Sequence, residues 1–305
     1  MSELVKNRSE ILFLYDVKDS NPNGDPLDGN KPRIDEETMT NLVTDVRLKR
    51  TVRDYLDKYR RIPIFIKESR DENGKRKTKE NLLDEEGIDS AEKLLAKYID
   101  MRMFGATAAV KENIITFTGP IQFKIGRSLH RVKLQYIKGT TVMPSKEDKT
   151  MGTFTEMYIL PYSLICFYGV VNENSAKDTG LTEEDVKTLL DGLWNGTKNL
   201  ITRSKVGQMP RLLLKVNYKE KNYHIGDLSA LLKLESSLRG EEIRDTADYT
   251  LNVSPLVKAL NDNRDKVKDV ELAADPALRF TFTGKESPLS QILRENGVAV
   301  SILQL

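Results

Sequence analysis

The sequence is poor in the residues on which much metal and redox chemistry depends. Its 305 residues include one cysteine, two histidines and one tryptophan. The lone Cys166 lies in an apolar run, which predicts a buried core residue in a reducing compartment. His130 and His224 are far apart in the sequence and lack the spacing of metal ligands. We therefore expect no resident metal and no cofactor.

Common enzyme and membrane signatures are missing as well. The chain has no phosphate-binding P-loop, no dinucleotide-binding glycine motif and no G-x-S-x-G elbow. Its longest apolar runs fall far short of the ~20 residues that a membrane helix needs. The N-terminal residues show no secretory pattern. These absences favour a cytoplasmic protein that is not an enzyme and has no membrane contact.

Charge is unevenly distributed, although the net charge is only +2. Basic residues outnumber acidic ones by 13 to 7 in 41–80, by 7 to 2 in 120–150 and by 7 to 1 in 196–221. Acidic residues prevail in 235–275, by 10 to 6. This segregation predicts a basic surface for a polyanion and an acidic surface for another partner, such as a second copy. Ordinary solvated charge is the alternative.

Apolar runs and turn signals predict an α+β fold in one domain. We expect strands at 10–17, 113–118, 129–137, 154–171 and 211–218, and helices at 36–59, 90–103, 182–194, 226–238 and 254–263. The charged stretch 67–87 reads as an exposed excursion, and 138–153 as a loop or hairpin arm.

The polar loop after the first strand permits two interpretations. Asp19, Asn21, Asn23 and Gly24 match the first half of an EF-hand calcium loop. The second half fails, because Asn30 stands where a bidentate glutamate is required and the loop follows a strand instead of a helix. The other interpretation, which we favour, is a turn that directs N–H groups and Asn amides at phosphates.

A cluster of cations follows this loop on a predicted helix. Arg47, Lys49, Arg50 and Arg53 lie within two helical turns, from which they could contact successive phosphates. A solvated helix face with acidic partners is an equally good interpretation of this segment alone.

Two further basic segments favour contact with a nucleic-acid backbone. The loop 202–210 carries cations and hydrogen-bonding side chains on a frame stiffened by Gly and Pro. The predicted strand at 129–137 alternates basic and apolar residues, and His130 in it could help to contact phosphate. The aromatic RNP1 pattern that stacks bases is absent. Tracking of the backbone is therefore favoured over reading of the base sequence.

Five segments of this chain, in this order, resemble the backbone subunit of type I CRISPR Cascade complexes, in a form similar to subtype I-B. These segments are 19–26 (DSNPNGDP), 32–35 (PRID), 43–50 (VTDVRLKR), 100–105 (DMRMFG) and 204–211 (SKVGQMPR). The first loop and the Arg102-to-Gly105 piece are the most specific.

The resemblance implies a fold of the RAMP superfamily. Its palm is a modified RRM, or ferredoxin-like, domain with inserted finger and thumb segments. The finger-like insertion would span about 61–105 and the thumb-like hairpin about 138–155, within one RNA-binding domain, 1–305. Several copies of such a subunit line up along a guide RNA and support its pairing with target DNA, which supplies the sequence specificity. The implied partners are CRISPR guide RNA, target DNA, other copies of the chain and other Cascade subunits.

The resemblance also implies which residues contact RNA. The thumb would present Met143 as an apolar wedge beside a displaced base. The remaining candidates are Asn21, Asn23, Arg33, Arg47, Lys49, Arg50, Arg53, Arg127, Arg131, Ser204, Lys205, Gln208 and Arg211. Related type III subunits cut target RNA with a metal-binding Asp in the equivalent loop, and Asp19 and Asp25 are both candidates for that position. Metal-dependent RNA cleavage is thus the alternative to a non-catalytic role.

Overall fold

A computed structural model describes residues 3–110, 113–140 and 154–305. The strands in these ranges are β1 (Ser9–Ser20), β2 (Gly24–Asp25), β3 (Lys31–Pro32), β4 (Ile34–Asp35), β5 (Thr40–Val43), β6 (Gly105–Val110), β7 (Asn113–Thr118), β8 (Ile121–Phe123), β9 (Gly126–Arg131), β10 (Gln135–Thr140), β11 (Phe154–Val171), β12 (Met209–Tyr218), β13 (Lys233–Glu235), β14 (Thr250–Asn252), β15 (Val267–Ala274), β16 (Phe280–Phe282), β17 (Lys285–Glu286) and β18 (Val300–Ile302). The helices are α1 (Asp45–Lys58), α2 (Lys79–Glu85), α3 (Ala91–Lys97), α4 (Ile99–Phe104), α5 (Glu173–Thr179), α6 (Glu183–Lys198), α7 (Ser254–Asp262) and α8 (Leu289–Glu295).

A large mixed sheet organises the fold. Its strand order is β18-β15-β12-β1-β11-β9-β5-β4, with β8 and β10 also paired to β11. The central strand β1 is antiparallel to both of its neighbours, β11 and β12. At the far edge, β15 and β18 run parallel. This confirms the predicted α+β class, whereas the modified RRM character of the palm stays a prediction.

The apolar run in β1 is continuous because the sheet is covered on both faces. Successive side chains of a strand point to opposite faces. Accordingly Leu12 and Leu14 belong to a core shared with α7 and α8, whereas Ile11, Phe13 and Tyr15 belong to a core shared with α1 and α6. All five side chains are buried.

Helix α1 packs closely against α6. A Cβ atom at Gly192 of α6 would lie only 2.8 Å from a methyl carbon of Val52, so the absence of a side chain there lets the helices approach. Leu48 and Leu56 of α1 are buried on the same side. The contact fixes the helix that carries the predicted cation cluster.

A third, smaller core stabilises the segment between α1 and β8. It contains Phe65, Leu83, Leu94, Tyr98 and Met101. The hairpin β6–β7 closes this region as a separate two-stranded sheet. The stretch 67–87 was predicted to be an exposed excursion. It includes the short helix α2, whose Leu83 is buried in this third core.

Several predicted elements are wrong in extent or type. The helix predicted at 36–59 begins only at Asp45, because the preceding residues form β4 and β5. The strand predicted at 129–137 is two strands, β9 and β10, separated by a break at 132–134. The helix predicted at 226–238 is a single 3-10 turn, Leu228–Leu231, followed by β13. Within the described ranges, no helix is both long and apolar enough to cross a membrane.

Candidate nucleic-acid interface

The loop after β1 is fastened to the loop that precedes β12. The backbone N–H of Asn21 donates to the Ser204 carbonyl at 2.8 Å, and the Ser20 hydroxyl donates to the same oxygen at 2.9 Å. The side-chain nitrogen of Asn21 donates to the backbone carbonyl of Asn30 at 2.7 Å, which joins the two ends of the first loop. Two segments that are distant in sequence thus form one surface.

The same loop is also fastened to the first turn of α1. The side-chain oxygen of Asn23 accepts from the backbone N–H of Thr44 at 2.9 Å and from its hydroxyl at 3.0 Å. Thr44 is the N-cap of α1 and accepts from the N–H of Arg47. Arg33 is held in the loop by Asp25, with 2.6 Å between guanidinium and carboxylate. We call the region formed by 20–33, 44–50 and 202–208 the polar corner.

The polar corner contains buried polar atoms without partners. Buried polar groups in proteins are almost always hydrogen-bonded, so such exceptions call for an explanation. Among the described residues, six side chains have such an atom, and four of the six belong to the polar corner. The four atoms are Oδ1 of Asn21, Nε of Arg33, Nε of Arg47 and Nε2 of Gln208. They are one acceptor and three donors, and all four lie beneath the surface of the polar corner.

Cations crowd one another in the polar corner. Burial is the main reason why the pKa of Lys205 lies below its ordinary value, and the positive charges of Arg47 and Arg50 lower it further. Burial likewise lowers the pKa of Arg47. A bound polyanion would relieve this mutual repulsion, which makes the region electrostatically suited to phosphate.

The cations predicted on α1 differ in their surroundings. Arg50 is 64% exposed and pairs loosely with Asp54 at 3.5 Å. Lys49 is only 11% exposed, and its ammonium reaches Asp45 at 3.1 Å and the side-chain oxygen of Gln122 at 3.0 Å. Arg50 is consequently better placed than Lys49 to meet a ligand from solvent.

Two predicted contacts, Arg53 and Arg211, lie in largely buried ion pairs. Arg53 donates to Asp100 at 2.8 Å. Arg211 lies between Asp16, at 2.8 Å, and Asp275, at 3.0 Å. Both arginines hold the fold together, and their contact with RNA stays a prediction.

The basic residues predicted on β9 lie outside the polar corner. Arg127 and Arg131 point from the same face of the strand and form exposed ion pairs with Asp35 and Glu241. His130 lies between them in the sequence but is buried: its ring nitrogens contact backbone groups, and its ring stacks on that of Tyr162 with 5.8 Å between the centroids. It is therefore a core residue and does not face phosphate. Met143 lies outside the described residues.

A groove of about 450 Å³ separates α1 from the segment with the third core. Arg50 and Lys58 line it from the helix, and Lys67, Lys77 and Lys79 line it from the opposite wall. Asp54, Asp57 and Glu68 line it too, so the surface that continues from the polar corner along α1 is of mixed charge with an excess of cations.

The calcium interpretation of the first loop meets a geometric difficulty. The Asn23 oxygen that would be a ligand accepts both hydrogen bonds from Thr44, and Asp25 pairs with Arg33. In the described part of the chain, no three His, Cys, Asp or Glu side chains gather into a group that could hold a metal.

Sequence reasoning identified the residues of the polar corner but missed Thr44 as the helix cap. The signal was present, because a threonine stands immediately before Asp45 at the start of the apolar periodicity. It was obscured by the helical spacing of earlier residues. Tyr136 and Tyr158 were not singled out either, although the structure brings both to the border of this region.

Comparison with known proteins gives a consistent result. The family model for "CRISPR-associated protein Cas7" matches residues 7–254. A protein of that name from Haloferax volcanii is 34% identical over 306 aligned positions, which cover 90% of this chain and 88% of the relative. One solved chain, from a pre-nicking CRISPR RNA-guided surveillance complex, has a TM-score of 0.55 at 12% identity and covers 95% of this chain and 99% of its own length. A second, also from a CRISPR RNA-guided surveillance complex, has a TM-score of 0.52 at 14% identity and covers 88% of this chain and 89% of its own length. The chain belongs to the Cas7 family of CRISPR-associated proteins.

Proposed function

We propose that this Cas7-family chain is a non-catalytic subunit that binds CRISPR guide RNA through its sugar–phosphate backbone. The observation that carries the proposal is the polar corner itself, where two loops distant in sequence meet the first turn of α1 and bring Arg33, Arg47 and polar side chains together. Lys205 and Arg50 add positive charge at the same place. Recognition of this kind is independent of base sequence, which suits a protein that must accept any guide.

The proposal includes assembly of several copies along one guide RNA. The solved chains that share this fold come from RNA-guided surveillance complexes, which supports it. In such an assembly the finger-like insertion, about 61–105, would lie near target DNA. The arm at about 138–155 would be the thumb, with Met143 as its wedge. Other Cascade subunits would complete the complex.

RNA binding can be tested by removing Arg50 and Lys205, two cations of the polar corner that lie outside the buried ion pairs of the described residues. For Arg50→Ala combined with Lys205→Ala, we expect weaker binding to homopolymers of either uridine or adenosine. The slope of log K against log salt should fall by about 1.4, because each lost phosphate contact on a single strand contributes about 0.7. Fluorescence anisotropy at several salt concentrations measures both quantities.

The matched control removes two exposed cations from the small sheet β13-β14-β16-β17. Lys233→Ala combined with Lys285→Ala changes the net charge equally but leaves the polar corner intact. The control should keep the salt slope of the wild type. An equal loss in both double variants would mean that only overall charge matters and would contradict a localised site.

Assembly and lack of cleavage need separate measurements. The purified protein should elute as large particles with a high absorbance ratio of 260 to 280 nm, and RNase should reduce them to single subunits. With complementary RNA and a divalent metal, the complex should leave the RNA intact. Cleavage that is lost in Asp19→Ala or Asp25→Ala would favour the metal-dependent alternative.

A further inference from the structure

The arm formed by β10 and the start of β11 exposes aromatic and aliphatic side chains on opposite faces. On one face, Tyr136 and Tyr158 are direct cross-strand partners, with ring centroids 5.0 Å apart. On the other face, Ile137 lies opposite Met157. Tyr136 is 47% exposed and Ile137 is 38% exposed. Aromatic and aliphatic side chains are thus open to solvent on both faces of the arm.

The aromatic face borders the polar corner. The ammonium of Lys31 lies 5.6 Å from the centre of the Tyr158 ring, in a cation–π contact. A Cβ atom built at Gly29 would lie 4.0 Å from the same ring. Lys31 and Gly29 both belong to the first loop. An RNA strand bound at the polar corner would therefore pass close to these tyrosines. Lys31 lies over the Tyr158 ring, whereas nearly half of Tyr136 is exposed among the described residues.

The charges around Tyr136 favour an uncharged group over a phosphate. The Tyr136 hydroxyl is hydrogen-bonded to Glu156, which lies on the same face of the arm. Glu156 lies directly opposite Lys138 on this face, so the charges beside the ring balance and give a phosphate no net attraction. Lys31, which would attract one, is paired with Asp28 at 2.7 Å. The flat surface of a nucleobase fits such a place, since every base can stack on an aromatic ring whatever its identity.

We propose that Tyr136 stacks against one unpaired base of the RNA whose backbone lies in the polar corner, with Tyr158 and Lys31 supporting the ring from behind. This inference rests on the proposed function and adds a contact to a base. It assigns a role to the aromatic face of the arm, independently of the wedge expected from Met143. Because stacking is tolerant of sequence, this contact is compatible with any guide.

The test compares an oligomer of uridines with an abasic RNA of the same length. Tyr136→Ala should weaken binding of the uridine oligomer about 5- to 150-fold, the usual range for loss of one stacking contact. It should leave binding of the abasic RNA unchanged, because that RNA offers phosphates and no base. Tyr136→Phe keeps the ring and should bind both RNAs as the wild type does.

The matched control is Ile137→Ala, which alters the neighbouring residue on the opposite face of the same strand. It should bind both RNAs as the wild type does. If Tyr136→Ala binds uridines normally, or loses both RNAs equally, the stacking contact is refuted while RNA binding stands. A loss in Ile137→Ala equal to that in Tyr136→Ala would also refute it, because the arm as a whole would then be responsible. If the wild type binds neither RNA, both proposals fail.

Discussion

The guanidinium of Arg53 on α1 donates a hydrogen bond of 2.8 Å to Asp100, which is completely buried. The other interactions of this carboxylate are with the backbone N–H groups of Phe65 and Ile66, at 2.9 and 3.1 Å. One side chain therefore joins α1, α4 and the entry to the segment with the third core. The ring of Phe104 lies against Arg53 at 5.0 Å and shields the pair further.

Asp100→Ala should destabilise the protein strongly. Removal of one partner of a buried, hydrogen-bonded ion pair typically costs about 3–5 kcal/mol, because the other charge stays buried without compensation. Urea unfolding measures the loss. The control is Asp54→Ala, which removes the looser partner of the exposed Arg50 and should cost under about 1 kcal/mol. Equal effects of the two substitutions would contradict a central role for Asp100.

Gly105→Ala should also destabilise the chain, for a steric reason. Gly105 has φ of +63°, and a Cβ atom there would lie 2.1 Å from the carbonyl oxygen of Phe117. With ψ of 173° this backbone conformation is one that essentially only glycine adopts; it costs an alanine about 1–3 kcal/mol, and the clash adds about 1–3 kcal/mol. Gly180→Ala is the control, since Gly180 has a similar φ of +73° but open space around it. Because ψ is 173° at Gly105 and 25° at Gly180, the difference between their unfolding free energies reports the clash together with the less accessible backbone conformation of Gly105.

The elements that depend on local signals were predictable from the sequence. The apolar run of β1 needed no knowledge of its partners. The helix predicted at 182–194 is confirmed as α6, and a capping box of Thr182 and Asp185 begins it. By contrast, β9 and β10 were merged into one strand, because the break between them depends on tertiary contacts. There the N–H of Val132 donates to the carbonyl of Met39, in a distant loop.

Clusters of cations could be identified from the sequence, but the acidic residues with which they pair could not. Arg53 meets an acid 47 positions away in the sequence, and Arg211 meets Asp16 at a separation of 195. Helical spacing alone cannot distinguish such an arginine from one that faces solvent, as Arg50 does. The segment 100–105 resembles the family to which the chain belongs. Within it, Asp100 and Gly105 have structural roles in the fold.

Stability should fall in mild acid because of His130. Its Nδ1–H points at the carbonyls of Arg131 and Gly240, at 2.8 and 2.9 Å, while Nε2 accepts the N–H of Leu164 at 3.2 Å. Only the neutral ring fits, and burial lowers the pKa of His130 below 6.5. The contribution is fully present above pH 6.5, the unfolded value, and is lost as the pH falls towards the folded pKa.

Urea unfolding at several pH values below 6.5 tests this dependence. One unfolding-linked proton changes the unfolding free energy by at most about 1.4 kcal/mol per pH unit. His130→Gln should lack that part of the slope, since glutamine does not titrate. His224→Gln alters an exposed histidine and should keep the wild-type slope. A wild-type slope in His130→Gln would assign the acid sensitivity to carboxyl groups instead.

RNA affinity should decline in alkaline solution through Lys205. Burial and the charges of Arg47 and Arg50 hold its pKa below the ordinary 10.5, and a phosphate beside it would raise the pKa again. At pH values between the pKa of Lys205 in the free protein and its pKa in the complex, binding takes up a proton. The affinity is therefore constant below the pKa of the free protein and falls above it. Anisotropy titrations at constant ionic strength measure the decline. Lys205→Arg keeps a positive charge that does not titrate in this range, so its affinity should stay flat where that of the wild type falls. Parallel curves for the two proteins would show that Lys205 does not contact the phosphate.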